Sequence, residues 1–303
     1  MKDAVAAYLA LRRTAGFAMA NAEYLLDSFA RFAAGRNETH IRRQAAIDWA
    51  AQGTSAARRD ERLRAVCRFA RHVRVEDDRH ELPPANYFGC RKTRRMPYIY
   101  SSDEIGRLLK AASRLGPRGT MRAQTYATLI ALLASTGLRV SEALGLKFAD
   151  IPDDGLLIRE TKFRKTRLVP LHDTSAAGLQ HYLIRRRQLG AGDDHVFVGR
   201  HGRPLPYSAV HCTFKTLLKA ADLWPAPGGH RPRLHDMRHA FAVRALQTSP
   251  AGRSRIGQHM VALATYLGHV NIYATYWYLE ATADLLSDIA DAGETFMVRG
   301  AQL

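Results

Sequence analysis

The chain has 303 residues, enough for two domains of ordinary size, and its hydrophobic content of 47% is typical of a protein with well-packed cores. Lys and Arg number 45 against 28 Asp and Glu, so the formal charge is +17. An excess of that size favours a polyanionic partner, either nucleic acid or an acidic membrane surface, over a merely solvated basic surface, because each Lys or Arg set against a phosphate releases condensed counterions.

Cysteine usage and hydropathy exclude several classes of protein. The three cysteines, Cys67, Cys90 and Cys212, lie far apart and form no CxxC pair, which argues against a disulfide framework or a zinc site and for a reducing cytoplasm. No segment approaches the roughly 18 unbroken apolar residues of a transmembrane helix. The first residues also lack a signal-peptide pattern, because charged residues interrupt any apolar run.

Residues 1–85 are predicted to form a helical N-terminal domain, since apolar residues recur there at three- and four-residue steps. Between residues 55 and 75, Leu63, Val66, Ala70 and Val73 make one apolar stripe. The rest of that helix is rich in arginine, namely Arg58, Arg62, Arg64, Arg68, Arg71 and Arg74. Such a face is either solvated or set against phosphates, and the scarcity of acidic neighbours favours the second interpretation.

A basic linker is predicted over residues 86–97, which include Gly89, Pro97 and the run Arg91-Lys92-Thr93-Arg94-Arg95. The second domain is predicted over residues 98–303. Ser101 or Ser102 can cap a helix over 103–112, and an apolar helix is expected over 125–135.

Short β-strands are predicted inside this second domain. Residues 156–158 and 167–171 flank a polar turn at 161–166, which indicates a hairpin, and residues 196–198 form a further candidate strand. Beyond residue 208 the pattern is helical again. The predicted fold is therefore mainly α with a small antiparallel β-sheet, an α+β arrangement.

Basic residues and a tyrosine recur in an ordered set along this domain. Arg139 follows a glycine break in the run Thr136-Gly137-Leu138-Arg139-Val140-Ser141-Glu142, where Glu142 can reach back toward the helix start. His235 and Arg238 are spaced i and i+3, which places them on one helix face. The remaining members are Lys162 in the hairpin turn, His269 in Leu267-Gly268-His269, and Tyr278 nine residues later. Each residue alone would be a surface charge, a solvated histidine or a packing tyrosine.

Taken in this order, the motifs resemble those of the tyrosine recombinase (phage integrase) family over residues 98–290. The resemblance implies a two-domain protein, with residues 1–85 as a helical core-binding domain and residues 98–303 as a mixed catalytic domain, closing as a C-shaped clamp around duplex DNA. Two local departures concern Tyr273-Ala274-Thr275, where the family commonly has Ser-Thr-Thr, and Lys162, whose flanks Thr161 and Phe163 replace two glycines.

The resemblance also implies a chemical role for each member of the set. Tyr278 is the expected nucleophile, with Tyr276 as the first alternative. His235 is expected to assist proton transfer at the tyrosine. Lys162, or Lys165 in the same turn, would protonate the leaving 5′-oxygen, and His269 would hydrogen-bond the scissile phosphate.

The physical chemistry of phosphodiester cleavage agrees with these roles. Negative charge builds on the non-bridging oxygens during attack, and the guanidiniums of Arg139 and Arg238 can clamp those oxygens with paired hydrogen bonds. No metal ion or other cofactor and no ATP is expected, because the cations stabilise the charge and the phosphotyrosine keeps the bond energy. Lys165 and Arg167 are interpreted as contacts to the DNA backbone.

The expected partner is double-stranded DNA, bound by a homo-tetramer acting alone or with a second recombinase, in the cytoplasm in association with the nucleoid. The expected reaction is site-specific DNA integration, excision or transposon movement.

Residues 281–289 form an amphipathic segment. The resemblance implies that this segment docks on a neighbouring protomer, and the alternative is that it packs on its own domain. Two rival functions stay open: a type IB topoisomerase-like enzyme, which would relax DNA without site preference, and a catalytically silent DNA-binding protein.

Overall fold

The computed structural model describes residues 1–90, 95–159, 166–190, 193–199, 202–248 and 256–268. These residues are mainly helical and include one two-stranded antiparallel sheet, as the sequence predicts. The chain divides into two compact units between Arg95 and Met96, a junction that lies inside the segment 86–97. Among the described helices, none is both long enough and apolar enough to cross a bilayer.

The first unit is built from four helices: α1 (Lys2–Thr14), α2 (Ala20–Ala34), α3 (Arg43–Ala51) and α4 (Ala56–Val73). Ser55 begins α4 by accepting a hydrogen bond from the Arg58 backbone N–H at 3.2 Å. The predicted stripe of α4 is buried along its whole length and packs with Phe29, Trp49 and Tyr8 in one hydrophobic core. Burial of this stripe leaves the arginines of α4 at the rim of the core or in solvent.

Four of these arginines have partners inside the unit, although acidic neighbours are scarce in the sequence, and one of the four, Arg74, donates to the His80 carbonyl at 3.4 Å. Arg58 pairs with Glu61 at 2.7 Å and Arg64 pairs with Asp60 at 2.9 Å. Arg62 stacks on the Trp49 ring at 4.0 Å and donates to the Trp49 carbonyl. Two of the partners, Asp60 and Glu61, lie on α4 itself, and Trp49 comes from α3.

The second unit contains seven described helices and the sheet. The helices are α5 (Ser102–Ser113), α6 (Arg122–Thr136), α7 (Val140–Leu144), α8 (Asp173–Gln188), α9 (Tyr207–Ala220), α10 (Asp236–Gln247) and α11 (Ile256–Leu267). Ser101 is the N-cap of α5, and its side chain and that of Glu104 exchange hydrogen bonds with each other's backbone N–H. α6 is the central helix, since α5, α8 and α10 all pack against it.

The sheet pairs β1 (Leu156–Ile158) with β2 (Arg167–Val169), in the register Leu156 to Val169 and Ile158 to Arg167. The predicted hairpin strands are thereby confirmed, whereas its turn, with Lys162 and Lys165, lies outside the described residues. The prediction of a strand at 196–198 was wrong. There Val196 donates to the Leu146 carbonyl, while the Phe197 carbonyl accepts from Leu205, so the segment makes single hydrogen bonds to two segments in place of a ladder.

Candidate active site

Arg139 is placed by a sharp turn at the end of α6. Gly137 ends that helix in the left-handed conformation, with φ +62°, and a Cβ at this position would lie 2.5 Å from the Phe241 ring. Two residues later Arg139 is the N-cap of α7. The glycine of the motif is therefore required both by backbone geometry and by the packing of α10.

Glu142 reaches back to Arg139, as the sequence predicts. Its carboxylate accepts the Arg139 backbone N–H at 3.0 Å and a guanidinium N–H of the same residue at 2.6 Å. The Glu142 side chain is only 7% exposed. A carboxylate buried to this extent needs several hydrogen-bond donors, because an unpaired buried charge is strongly disfavoured.

Arg167 supplies the other donors to Glu142. Its two terminal nitrogens lie 3.2 Å and 2.9 Å from the two carboxylate oxygens, and its Nε donates to the Tyr266 carbonyl at 2.9 Å. Burial opposes the ionisation of Glu142, but hydrogen bonds from Arg167 and then from Arg139 outweigh it and hold the pKa of Glu142 below its ordinary value. The sequence predicts that Arg167 contacts the DNA backbone, whereas the structure holds its guanidinium inside the protein, against Glu142 and the Tyr266 carbonyl.

Arg238 lies on α10 and is 2% exposed. Its guanidinium donates to the Gly137 carbonyl at 2.8 Å and to the Leu267 carbonyl at 2.6 Å. Arg139 in turn donates to the Gly268 carbonyl at 3.2 Å. The two predicted phosphate-clamping arginines are thus joined through the turn after α6 and the end of α11.

Three consecutive carbonyls at the end of α11 each accept a hydrogen bond from a different arginine. Tyr266 accepts from Arg167, Leu267 from Arg238 and Gly268 from Arg139. The last carbonyls of a helix have no partner within the helix and carry the negative end of its dipole, so cations are well placed there. We call these three arginines and three carbonyls the arginine clamp.

Gly268 has the same double constraint as Gly137. Its φ is +67°, and a Cβ there would lie 2.9 Å from a terminal nitrogen of Arg167. The glycine of the Leu-Gly-His motif therefore lets the chain leave α11 while Arg167 stays close. His269, the next residue, lies outside the described residues.

His235 is the N-cap residue of α10, one helical turn before Arg238, and is exposed at the surface. The protein around it lowers its pKa through desolvation, and the charge of Arg238 lowers it further. Arg139 also contributes to this lowering, so its charge acts on His235. At neutral pH the imidazole is therefore mostly unprotonated and able to accept a proton.

His239 and Asp236 support this turn of α10 from inside. The His239 ring meets the His235 ring edge-on, with centroids 5.1 Å apart. Burial, followed by the charge of His235, lowers the pKa of His239 to about 4. Asp236 is fully buried, and its carboxylate accepts from the Arg233 backbone N–H at 2.8 Å and pairs with the Arg233 guanidinium.

The family model described as "Phage integrase family" matches residues 99–284 of this chain. The chain is also 38% identical over 297 residues to the putative integrase/recombinase y4rB of Sinorhizobium fredii, and the match covers 95% of each chain. This chain belongs to the phage integrase family. A second relative, the tyrosine recombinase XerD of Caulobacter vibrioides, is 30% identical over 249 residues, covering 80% of this chain and 76% of that one.

Solved structures show the same fold for this phage integrase family member. The Tn1549 transposon integrase in complex with circular intermediate DNA matches with a TM-score of 0.59 at 20% identity, over 94% of this chain and 97% of that one. A lambda integrase dimer bound to a COC′ core site matches with a TM-score of 0.62 at 17% identity, over 90% and 96%. Both matches cover most of the chain.

Of the six predicted site residues, the structure describes three and brings them together: Arg139, His235 and Arg238. The other three, Lys162, His269 and Tyr278, lie outside the described residues. Arg167 is the component of this phage integrase site whose place the sequence reasoning missed. The sequence carries one indirect signal for it. Gly268 has no side chain, which leaves room for a long side chain from elsewhere in the chain to pack against its backbone.

Proposed function

We propose that this protein is a site-specific DNA recombinase that cuts and rejoins double-stranded DNA through a 3′-phosphotyrosine intermediate at Tyr278. The observation that carries the proposal is the arginine clamp, which presents Arg139 and Arg238 next to His235. Two preorganised guanidiniums suit a phosphoryl-transfer site, because they offset charge that develops on the phosphate oxygens.

In the proposed reaction the Tyr278 oxygen attacks phosphorus and the bond from phosphorus to the 5′-oxygen breaks. The phenol proton passes to His235, whose lowered pKa keeps it available as a base at neutral pH. The leaving 5′-oxygen takes a proton from Lys162, with Lys165 as the alternative donor. His269 donates to the scissile phosphate.

The cations then serve both directions of the reaction. A guanidinium has five N–H donors, and the described contacts of Arg139 to Glu142 and Gly268 use two of them. The remaining donors are available for non-bridging oxygens. Because the phosphotyrosine retains the energy of the broken ester bond, a 5′-hydroxyl from another strand can attack it without ATP.

DNA is the proposed partner of both units, and α4 offers a surface for its backbone. Arg68 and Arg71 are exposed on α4 and line a cavity of about 280 Å³ together with Asn86. Unlike Arg58, Arg62 and Arg64, they make no ion pair or hydrogen bond within the described residues. Two unpaired guanidiniums at one concave surface suit the phosphates of a duplex.

We further propose that the active assembly is a homo-tetramer on two duplexes. A groove of about 930 Å³ between α5, α6, α8 and α10 is lined by apolar residues that include Ile105, Leu109, Ala131 and Phe241. The apolar side of the amphipathic segment 281–289, contributed by a neighbouring protomer, suits such an apolar groove. The variant Leu285→Asp should then reduce assembly on DNA, measured by sedimentation, without abolishing binding of one protomer.

A relaxing topoisomerase is the less favoured function. The relatives that match along nearly the full chain are named integrases or recombinases, and their similarity includes the helical first unit. We assign integration, excision or transposon movement as the class of reaction. Relaxation of plasmids that lack the target site would contradict this assignment.

Covalent trapping tests the proposal directly. The purified chain is mixed with nicked duplexes from the DNA that flanks its gene, without metal or ATP, and run on a denaturing gel. We expect a DNA-shifted band whose linked peptide maps to Tyr278. Clear salt-sensitive binding without any adduct would support the silent DNA-binding protein or a requirement for a second recombinase.

A further inference from the structure

Arg167 uses all three of its side-chain nitrogens inside the protein. Nε donates to the Tyr266 carbonyl, and the two terminal nitrogens contact the two oxygens of Glu142. Its side chain is 12% exposed and that of Glu142 is 7% exposed. Both terminal nitrogens of Arg167 face a carboxylate, whereas those of Arg238 contact neutral carbonyls, so the charge of Arg167 is set against Glu142.

The charge count at Glu142 gives Arg167 a role in the reaction. Glu142 carries one negative charge and contacts two guanidiniums, those of Arg139 and Arg167, so the group has a net charge of +1. Without Arg167 the group would be neutral, because the charge of Glu142 would cancel that of Arg139. Negative charge develops on the phosphate during cleavage, and a neutral group would stabilise it much less.

Arg167 also fixes the backbone that precedes His269. Its Nε binds the Tyr266 carbonyl, and its terminal nitrogen lies against Gly268 too closely for a side chain there. A planar guanidinium can contact the Glu142 carboxylate and the end of α11 at the same time, whereas the single ammonium of a lysine cannot.

We propose that Arg167 is a positioning residue for cleavage. It balances the charge of Glu142, so that the group of Glu142, Arg139 and Arg167 keeps a net positive charge beside the scissile phosphate, and it holds the end of α11. This inference rests on the proposed strand-cleavage function. It makes the strand β2 part of the active site through a residue that does not touch DNA.

The test compares single-turnover cleavage of a nicked duplex by four proteins: wild type, Arg167→Met, Arg167→Met combined with Glu142→Gln, and Arg159→Met as the control. Arg159 follows β1 and is a mostly exposed arginine paired with Asp150. We expect Arg167→Met to lower the cleavage rate about 100-fold while the Kd for DNA changes less than about 3-fold. Arg159→Met should cleave like wild type.

The double variant separates charge balance from simple structural support. Removing the charge of Glu142 along with that of Arg167 restores the +1 balance, so we expect at least about a 10-fold recovery of the rate over Arg167→Met. A purely structural role predicts that the double variant is as slow as the single one or slower, and that result would overturn the charge argument. Cleavage by Arg167→Met within about 3-fold of wild type would overturn the whole inference.

Arg167→Lys covers the case in which Arg167→Met does not fold, as judged by circular dichroism. This variant keeps the positive charge but loses the planar, forked guanidinium that contacts two partners at once. We therefore expect a smaller loss of rate, about 10-fold, in a folded protein. A folded Arg167→Lys variant that is more than about 100-fold slower than wild type contradicts charge balance. Absence of an adduct with wild type in the same assay would instead count against the proposed function.

Discussion

The guanidinium of Arg238 lies 2.8 Å from the carbonyl oxygen of Gly137, a residue 101 positions earlier in the chain. The same guanidinium also contacts the Leu267 carbonyl, so one side chain on α10 fixes both the turn before α7 and the end of α11. Each carbonyl that Arg238 contacts belongs to a residue two positions before a predicted site residue, Arg139 or His269.

Arg238→Lys should therefore be a severe change although it keeps the charge. A lysine cannot bind both carbonyls with fork geometry, so we expect cleavage to fall at least about 100-fold with a small change in DNA affinity. Single-turnover cleavage measures the effect. Arg244→Lys is the matched control, since Arg244 lies on the same helix and donates to one carbonyl, that of Ala134. Equal rates for the two variants would contradict the bridging role.

Gly137→Ala should destabilise the second unit by about 2–5 kcal/mol, because it places a Cβ against Phe241 and forces a left-handed conformation on alanine. Gly106→Ala is the control. Gly106 is exposed within α5 and a Cβ there meets no atom within 4 Å, so alanine should raise stability by about 0.5–1 kcal/mol. Urea unfolding measures both free energies. A Gly137→Ala protein as stable as wild type would show that α10 can move away from the turn.

His239 should make stability depend on pH. Its pKa is about 4 in the folded protein and near 6.5 when unfolded, so the unfolded chain binds the proton more readily. The contribution of His239 to stability is then fully present above about pH 6.5 and is lost as the pH falls toward 4, by roughly 3 kcal/mol at about 1.4 kcal/mol per pKa unit. His239→Gln should lose less stability than wild type between pH 7 and pH 4.5 in urea unfolding.

The exposed His181 on α8 provides the comparison for that experiment, because His181→Gln should keep the pH dependence of wild type. If wild type and His239→Gln lose the same free energy of unfolding across this range, His239 is not held neutral in the folded protein.

The arginines of α4 should differ in their contribution to DNA binding. Arg68→Gln and Arg71→Gln should each reduce the magnitude of the slope of log Kd against log salt by about 1, because each removes one phosphate contact. Arg58→Gln should leave the slope unchanged, since Arg58 is paired with Glu61. Fluorescence anisotropy over a salt series measures all three. Identical slopes for all variants would contradict a contact between the DNA backbone and Arg68 or Arg71.

Tyr278→Phe should abolish the covalent adduct and leave DNA affinity nearly unchanged, because only one hydroxyl is lost. Tyr276→Phe is the matched control on the same segment and should still form the adduct. The denaturing gel used for trapping gives the readout. An adduct that persists in Tyr278→Phe and disappears in Tyr276→Phe would reassign the nucleophile.

Local sequence signals predicted most of the fold correctly. The serine cap of α5, predicted at Ser101 or Ser102, the glycine break after α6, the reach of Glu142 to the start of α7 and the strands β1 and β2 all depend on residues within a few positions of one another. Such signals are encoded in short stretches, where side-chain chemistry and backbone conformation are directly coupled.

The sequence did not predict the contacts of residues whose partners come from a distant segment of the chain. Arg167 resembles any basic residue near a hairpin turn, and its contacts to Glu142 and Tyr266 span 25 and 99 positions. Arg62 likewise depends on a ring from α3. Segment 196–198 has strand composition, yet its backbone finds two separate partners in place of one ladder. No local pattern encodes where such partners lie in space.

The arginine clamp has a consequence for synthesis of the protein on the ribosome. Its hydrogen bonds join Arg139 to a residue 129 positions later and Gly137 to one 101 positions later. Contacts of such long range form late in folding, since the intervening chain must first be ordered. A nascent chain that has not yet exposed Gly268 cannot assemble the clamp, so an unfinished polypeptide carries a foldable first unit before the three arginines of the second unit can be brought together.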